Sequence, residues 1–178
     1  MRKWNRVMDD GMRTAAYPSF AGMFQKSRYL VLLQPLRPTE RDPAVVEALN
    51  VLDQALHASP QVVHEVCALL KDLNWRPNLV GAAAVARARM GSGVVVRELW
   101  AALDRPSWVS PQLAVATSIV DPRFGDGARA RMGRATGKAF SALAALAEIV
   151  PPPPDDPEHG GQTAVAWRRA MLVQYAAT

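Results

Sequence analysis

The stretch Leu69-Leu70-Lys71-Asp72-Leu73-Asn74-Trp75-Arg76-Pro77-Asn78-Leu79 is echoed by Ala102-Leu103-Asp104-Arg105-Pro106-Ser107-Trp108-Val109-Ser110-Pro111-Gln112-Leu113. The two tryptophans stand 33 residues apart and the prolines that follow them 34. Each copy runs from the end of an apolar helix through an aspartate and a short turn carrying tryptophan, then through proline into an alanine-rich helix. Self-similarity at such a period marks a supersecondary unit that buries its apolar face only by stacking on its neighbours.

Outward from these copies the text stays helical. Asp42-Pro43, Ser59-Pro60 and Ser110-Pro111 each offer a side-chain oxygen at an N-cap and a proline at the first helical position, where its missing N–H costs nothing. From Pro60, Val62, Val66, Leu69 and Leu73 form one stripe that Val63 and Leu70 widen, with Glu65 and Lys71 off it. A second helix is expected from Asn78 to Met90 on Leu79, Ala83 and Ala86, with Arg87 and Arg89 at its C-terminal end and Gly91-Ser92-Gly93 closing it. A third, Val94 to Asp104, presents Val96, Trp100 and Leu103. A fourth, Pro111 to Val120, presents Leu113, Ala116 and Val120 and stops at Asp121-Pro122.

Phe124 to Gly137 holds four glycines among basic neighbours and reads as a loop or a frayed helix start. Phe140, Leu143, Leu146 and Ala147 then mark a helix closing on Val150. Pro151 to Pro154, continued by Asp155-Asp156-Pro157, reads as an extended connector, because successive prolines neither continue a helix nor donate to a sheet. A last helix, about Thr163 to Ala176, aligns Ala164, Trp167, Met171 and Tyr175 and is expected to dock on the preceding one.

The whole is expected to be all-α, with about seven to eight helices and no confident strand. We divide one domain, 1–178, into an irregular or helical N-terminal cap (1–41), a helical repeat core (42–122), a basic loop and helix (123–149), a proline-rich connector (150–162) and a C-terminal docking helix (163–178).

The repeat resembles HEAT and armadillo-type α-helical repeats, in which a helix ends near an aspartate, a short turn follows, and a second helix of small residues packs behind it. The resemblance covers roughly residues 43 to 122, with 138 to 177 as a degenerate final pair. It implies a short right-handed stack of antiparallel helix pairs, an α-solenoid. Only two copies are similar, tryptophan stands where a smaller apolar turn residue is usual, and the period is below the usual ~40 residues.

Composition agrees with a stacked, close-packed chain. Of 178 residues 30 are alanine, and aromatic residues supply only 7%. Small faces let helix axes approach closely, and neighbouring repeats share one core, so few large aromatics are needed. At this length a core buries roughly 70% of the unfolded chain's surface without disulfide or metal. The lone Cys67 makes no internal disulfide, so a reducing cytoplasm is the expected compartment. Asp9-Asp10 interrupts the basic N-terminus where an export signal needs apolar residues, and no apolar run is long enough to span a bilayer, so no membrane partner is expected.

The net charge of +5 is unevenly spread. Residues 1–41 carry +5 and 123–149 carry +3, while the repeat region 42–122 is net −2. Arginine outnumbers lysine 17 to 4, which with the alanine excess reads first as the codon bias of a GC-rich, bacterial-type genome.

No catalytic constellation emerges. His64-Glu65 starts like a zinc-protease helix, but Ala68 stands where the second histidine belongs. Cys67, three residues after His64, reads as a small core residue. Gly91-Ser92-Gly93 lacks the later glycine and lysine of a phosphate loop, Gly125-Asp126-Gly127 reads as a turn, and His159-Gly160-Gly161 as solvated linker. No metal and no cofactor is expected.

The candidate site residues are Trp75, Arg76, Asn78 and Trp108. Either the tryptophans plug gaps between helix pairs, or, since equivalent repeat positions line one surface, they form an aromatic and arginine edge of hot-spot composition. The two readings predict different burial. The function expected is a non-catalytic interaction module, an immunity or adaptor protein binding a partner protein. The alternative is nucleic-acid binding of the kind HEAT-like DNA glycosylases perform, for which Arg13, Arg28, Arg129, Arg131 and Arg134 would have to line one concave face.

Overall fold

A computed structural model of the chain describes residues 14–33, 42–149 and 159–175. Among the described residues all regular structure is helical. The α-helices are α1 (Ala21–Phe24), α2 (Pro43–His57), α3 (Val62–Lys71), α4 (Trp75–Ala88), α5 (Gly93–Leu103), α6 (Ser110–Val120), α7 (Phe124–Arg131), α8 (Gly137–Leu146) and α9 (Gly160–Tyr175). Short 3-10 turns at Thr14–Ala16, Pro18–Phe20 and Gln25–Leu33 flank α1. The described residues thus hold nine helices, α1 being the additional single turn.

The two copies of the repeat become two helix pairs. α3 packs against α4, and α5 against α6; α3 also touches α5, and α4 touches α6, so the four close a ring of contacts. α6 continues onto α8 and α9, which pack closely on each other. At the other end the 25–33 segment lies on α2 and α4. Its strand of chain is pinned by two buried side chains: Trp167 Nε1 of α9 donates to the Leu32 carbonyl (3.0 Å), and Gln112 Nε2 of α6 donates to the Leu33 carbonyl (3.1 Å).

The alanines lie where helices are enclosed. Every residue of α4 from Pro77 to Ala86 is buried, and every residue of α6 from Ser110 to Thr117. A helix buried all round has room only for small residues on most faces. Gly81 marks a close approach of α4 to α3, since a Cβ there would lie 3.0 Å from Leu70 Cδ2 and 3.2 Å from Leu69 Cβ.

Several expectations need correction. Asp42 caps α2 through a bond from the Ala44 amide (2.9 Å), but the other two starts are shifted. Ser110 is already helical and its hydroxyl donates to the Ser107 carbonyl, so Ser107 is the residue that begins the turn. The oxygen of Ser59 accepts from the Gln61 amide, ordering a turn one step before α3. α4 starts at Trp75, capped by Asn74, three residues before Asn78. The α3 stripe is also broken: the helix ends at Lys71, leaving Leu73 89% exposed, and Val63 is exposed as well. Glu65 is instead buried, because the Ser19 amide and hydroxyl each donate to one of its carboxylate oxygens (2.9 and 2.8 Å).

Of the stretch 124–137, expected as a loop or a frayed helix start, residues 124–131 form the helix α7. Gly127 makes room for Trp100, whose ring would lie 2.5 Å from a Cβ there. That ring stacks on Phe124 (5.6 Å between centroids) and its Nε1 donates to Asp121 (2.7 Å). α9 begins at Gly160, so the last three residues assigned to the connector are helical, and a Cβ at Gly160 would collide with the Lys138 backbone. Residues 150–158 of that connector, with 1–13, 34–41 and 176–178, lie outside the described residues. Ala164, Trp167 and Met171 face the core as their spacing predicts.

Candidate functional site

The two tryptophan turns lie side by side along one edge of the helix pairs. In the first, Asp72 accepts from the Asn74 amide (2.8 Å) and Asn74 in turn caps α4 by accepting from the Arg76 amide (3.0 Å). The end of α3 leaves carbonyls without helical partners, as any helix end does. Asn78 Nδ2 closes them, donating to Leu69, Leu70 and Asp72 carbonyls at 2.9, 3.3 and 3.0 Å. Arg105, from the second turn, donates to the Lys71 carbonyl (3.0 Å) and also to that of Leu70. The second turn is therefore bolted onto the helix end of the first.

The candidate residues separate by burial. Trp75 is half-buried, edge-on to Tyr29 (5.9 Å), with the Arg76 guanidinium 5.1 Å from its ring centroid. Trp108 is 75% exposed, and the Lys138 ammonium lies 4.7 Å from its ring centroid. Asn78 is only 4% exposed and its amide is occupied by three carbonyls, so it belongs to the framework beneath the edge and not to its surface.

Three cavities meet at Trp108. One, of about 560 Å³, lies between the turns and is walled by Leu73, Trp75, Arg76, Arg105 and Trp108. A second, of about 440 Å³, runs between Trp75 and Trp108 down to Pro111 and Gln112, with Leu33 and Lys138 at its sides. The third, about 860 Å³, opens beyond Trp108 toward Asp104, Arg131, Arg134 and His159. Their walls carry five arginines and lysines, Arg76, Arg105, Arg131, Arg134 and Lys138, against the single acid Asp104. A concave cluster of like sign focuses potential and favours acidic partners.

Most of those cations already have a task. Arg131 Nε and Arg134 Nη2 reach Asp104 at 2.9 and 3.1 Å. Arg131 also lies over the Trp100 ring, 4.2 Å from its centroid. The concave face of Arg13, Arg28, Arg129, Arg131 and Arg134 is not assembled. Arg28 pairs with Glu47 at the far end (2.8 Å), Arg129 pairs with Asp126 (3.1 Å), and Arg13 lies outside the described residues. Of the four described arginines, Arg131 and Arg134 join the tryptophan edge.

Leu73, Arg105, Gln112 and Lys138 were not singled out by residue type. A signal for three of them exists in the repeat, since Leu73 and Arg105 each directly follow the repeated aspartate and Gln112 stands at the position of Asn78. Lys138 reaches Trp108 from α8 and has no such signature.

The other chemistry-bearing side chains do not converge. His64 is exposed while Cys67 is buried. Burial pushes the Cys67 thiol above its ordinary range, Glu98 adds to the shift, and Lys71 and Arg97 oppose it, so the thiol form prevails. Among the described residues no group of three or more His, Cys, Asp or Glu side chains is placed to hold a metal ion, and no helix is long and apolar enough to cross a membrane. The chain has no significant match among protein families, curated proteins or solved structures.

Proposed function

We propose that this chain is a non-catalytic interaction module, a short right-handed HEAT-like α-solenoid that binds a partner protein through the edge formed by its tryptophan turns. The 33-residue spacing of the turns and the contacts of α3 with α5 and α4 with α6 support the solenoid reading. A cytoplasmic immunity or adaptor role in a bacterium fits a small module of this build.

The observation that carries the reading is Trp108, exposed beside an exposed Leu73, in a chain whose core is otherwise closely packed. Large apolar side chains with arginine neighbours are the composition of binding hot spots. Truncating Trp108 to alanine and Leu73 to serine is expected to abolish recovery of a partner protein that co-purifies with the unaltered chain from its host. Retention of that partner by the doubly altered chain overturns the reading.

Nucleic-acid binding is the second reading, favoured by the five basic side chains to one acid around the cavities. Against it, Arg105 is directed at backbone carbonyls and Arg131 and Arg134 at Asp104, which leaves few donors for a row of phosphates. Titration with duplex DNA at low salt decides: tight binding, weakening steeply as salt is added, selects the second reading over the first.

A further inference from the structure

The partner surface just proposed has an electrostatic side that its apolar hot spot does not explain. The cavity of about 860 Å³ beyond Trp108 lies between the second tryptophan turn and the start of α8. Besides His159, its walls carry the cations Arg105, Arg131, Arg134 and Lys138 and the carboxylate Asp104. Two of the cations are engaged by the fold itself. Arg131 meets Asp104 through Nε and Nη2, donates from Nη1 to the Gly127 carbonyl (3.3 Å), and packs over Trp100. Arg105 donates from both terminal nitrogens to the carbonyls that end α3.

The other two are open to a ligand. The Arg134 side chain is 63% exposed and reaches Asp104 through Nη2 alone, so its Nε and Nη1 donors have no acceptor among the described residues. Lys138 has no acidic partner among the described residues, and its ammonium lies 4.7 Å from the centroid of the Trp108 ring. An indole orients a cation through its quadrupole without neutralising it, so that ammonium keeps its full charge. Asp104 offsets one charge of the four. A concave positive potential therefore remains beside an indole that is itself 75% exposed.

We infer that this cavity receives an acidic segment of the partner protein, its carboxylates on the open donors of Arg134 and on Lys138 and an apolar side chain against Trp108. This rests on the protein-binding reading above and gives it a recognition chemistry. Charge-assisted bonds from a guanidinium and an ammonium to carboxylates supply orientation, and the indole supplies apolar area. Nucleic acid is the competing polyanion, but a row of phosphates needs more open cations than these two. The exposed Leu73, which shares a cavity with Trp108, favours a ligand with apolar side chains.

The test uses the full chain at low salt with the blocked peptides acetyl-Glu-Glu-Leu-Glu-Glu-amide and acetyl-Gln-Gln-Leu-Gln-Gln-amide, and pentathymidylate as a polyanion of matched charge. Binding is followed by the indole N–H resonance of Trp108. The acidic peptide is expected to shift that resonance saturably, and the glutamine peptide to bind about ten-fold more weakly. Arg134→Gln and Lys138→Gln should each weaken the acidic peptide about three-fold. Arg129→Gln removes the same charge from outside the cavity walls and should leave its binding unchanged. Equal weakening by Arg129→Gln overturns the proposal, because the attraction then belongs to the net charge and not to this cavity. Equal binding of the two peptides, tighter binding of pentathymidylate, or no shift with the acidic peptide overturns it as well. If the partner is nonetheless lost on removing Trp108 and Leu73, the surface stands and only the acidic assignment fails.

Discussion

Asn78 and Gln112 stand at the same position of the two repeat copies, each directly after the proline that follows the tryptophan. Both are amides, both are buried, and they do opposite things. Asn78 is short enough to turn back on the preceding helix and close three of its carbonyls. Gln112, one methylene longer, reaches Leu33 with its N–H and leaves its buried oxygen unpaired. The first copy is sealed from inside the fold; the second is sealed only in part and stays open at Trp108. Similar residues at equivalent positions thus make one turn structural and leave the other available.

The largest effect expected is that of Asn78→Ala, which strands the end of α3 without its donors in a buried site. Unfolding in urea should show a loss of about 2–3 kcal/mol. A loss below about 1 kcal/mol would mean that Arg105 alone suffices to close α3, and the contrast with Gln112 would lapse. Trp75→Ala, removing a half-buried ring packed on Tyr29, should cost about 2 kcal/mol.

Gln112→Leu gives up the bond to Leu33 but also removes the orphan oxygen, so its stability should stay within about 1 kcal/mol of the parent. A fall as large as that of Asn78→Ala would show the two amides to be equivalent after all. Trp108→Ala should change stability by less than about 0.5 kcal/mol, as for an exposed side chain, while removing partner binding.

The smallest expected effect concerns Cys67 on α3, the helix that Asn78 closes. Its thiol is held above the ordinary value of 9.0 in the folded state, so the stability it contributes is full below that value and is lost as pH rises beyond it. Alkaline unfolding should therefore begin at higher pH in Cys67→Ser, and a soluble thiol reagent at pH 8 should label the native chain far more slowly than the urea-unfolded one. Rapid labelling of the native chain would contradict the burial.

Much of the framework was legible from local pattern. The Asp42-Pro43 cap, the stop at Asp121-Pro122 and the face Ala164, Trp167, Met171 follow from rules that act within one or two helical turns. The tryptophan pair was legible as a pair because the repeat marks it. Misreadings occurred where a distant residue overrode local preference: Ser19 draws Glu65 inside, and Trp100 packs where only a glycine, Gly127, fits in the 124–131 helix. Leu73 looked like the next residue of a stripe because periodicity carries no notice that Asp72 has ended the helix.

By itself the amino-acid sequence determined that the described residues are helical, roughly where several helices lie, and that two turns share a design. Those properties depend on backbone propensity, caps and apolar spacing, all local quantities. Tertiary structure alone decided that Trp75 is half-buried and Trp108 exposed, that Lys138 lies over the second indole, and that Gln112 rather than Asn78 keeps an unpaired oxygen. Each of these depends on which distant segment fills the space beside a turn: Tyr29 reaches Trp75, and no comparable aromatic packs on Trp108 among the described residues.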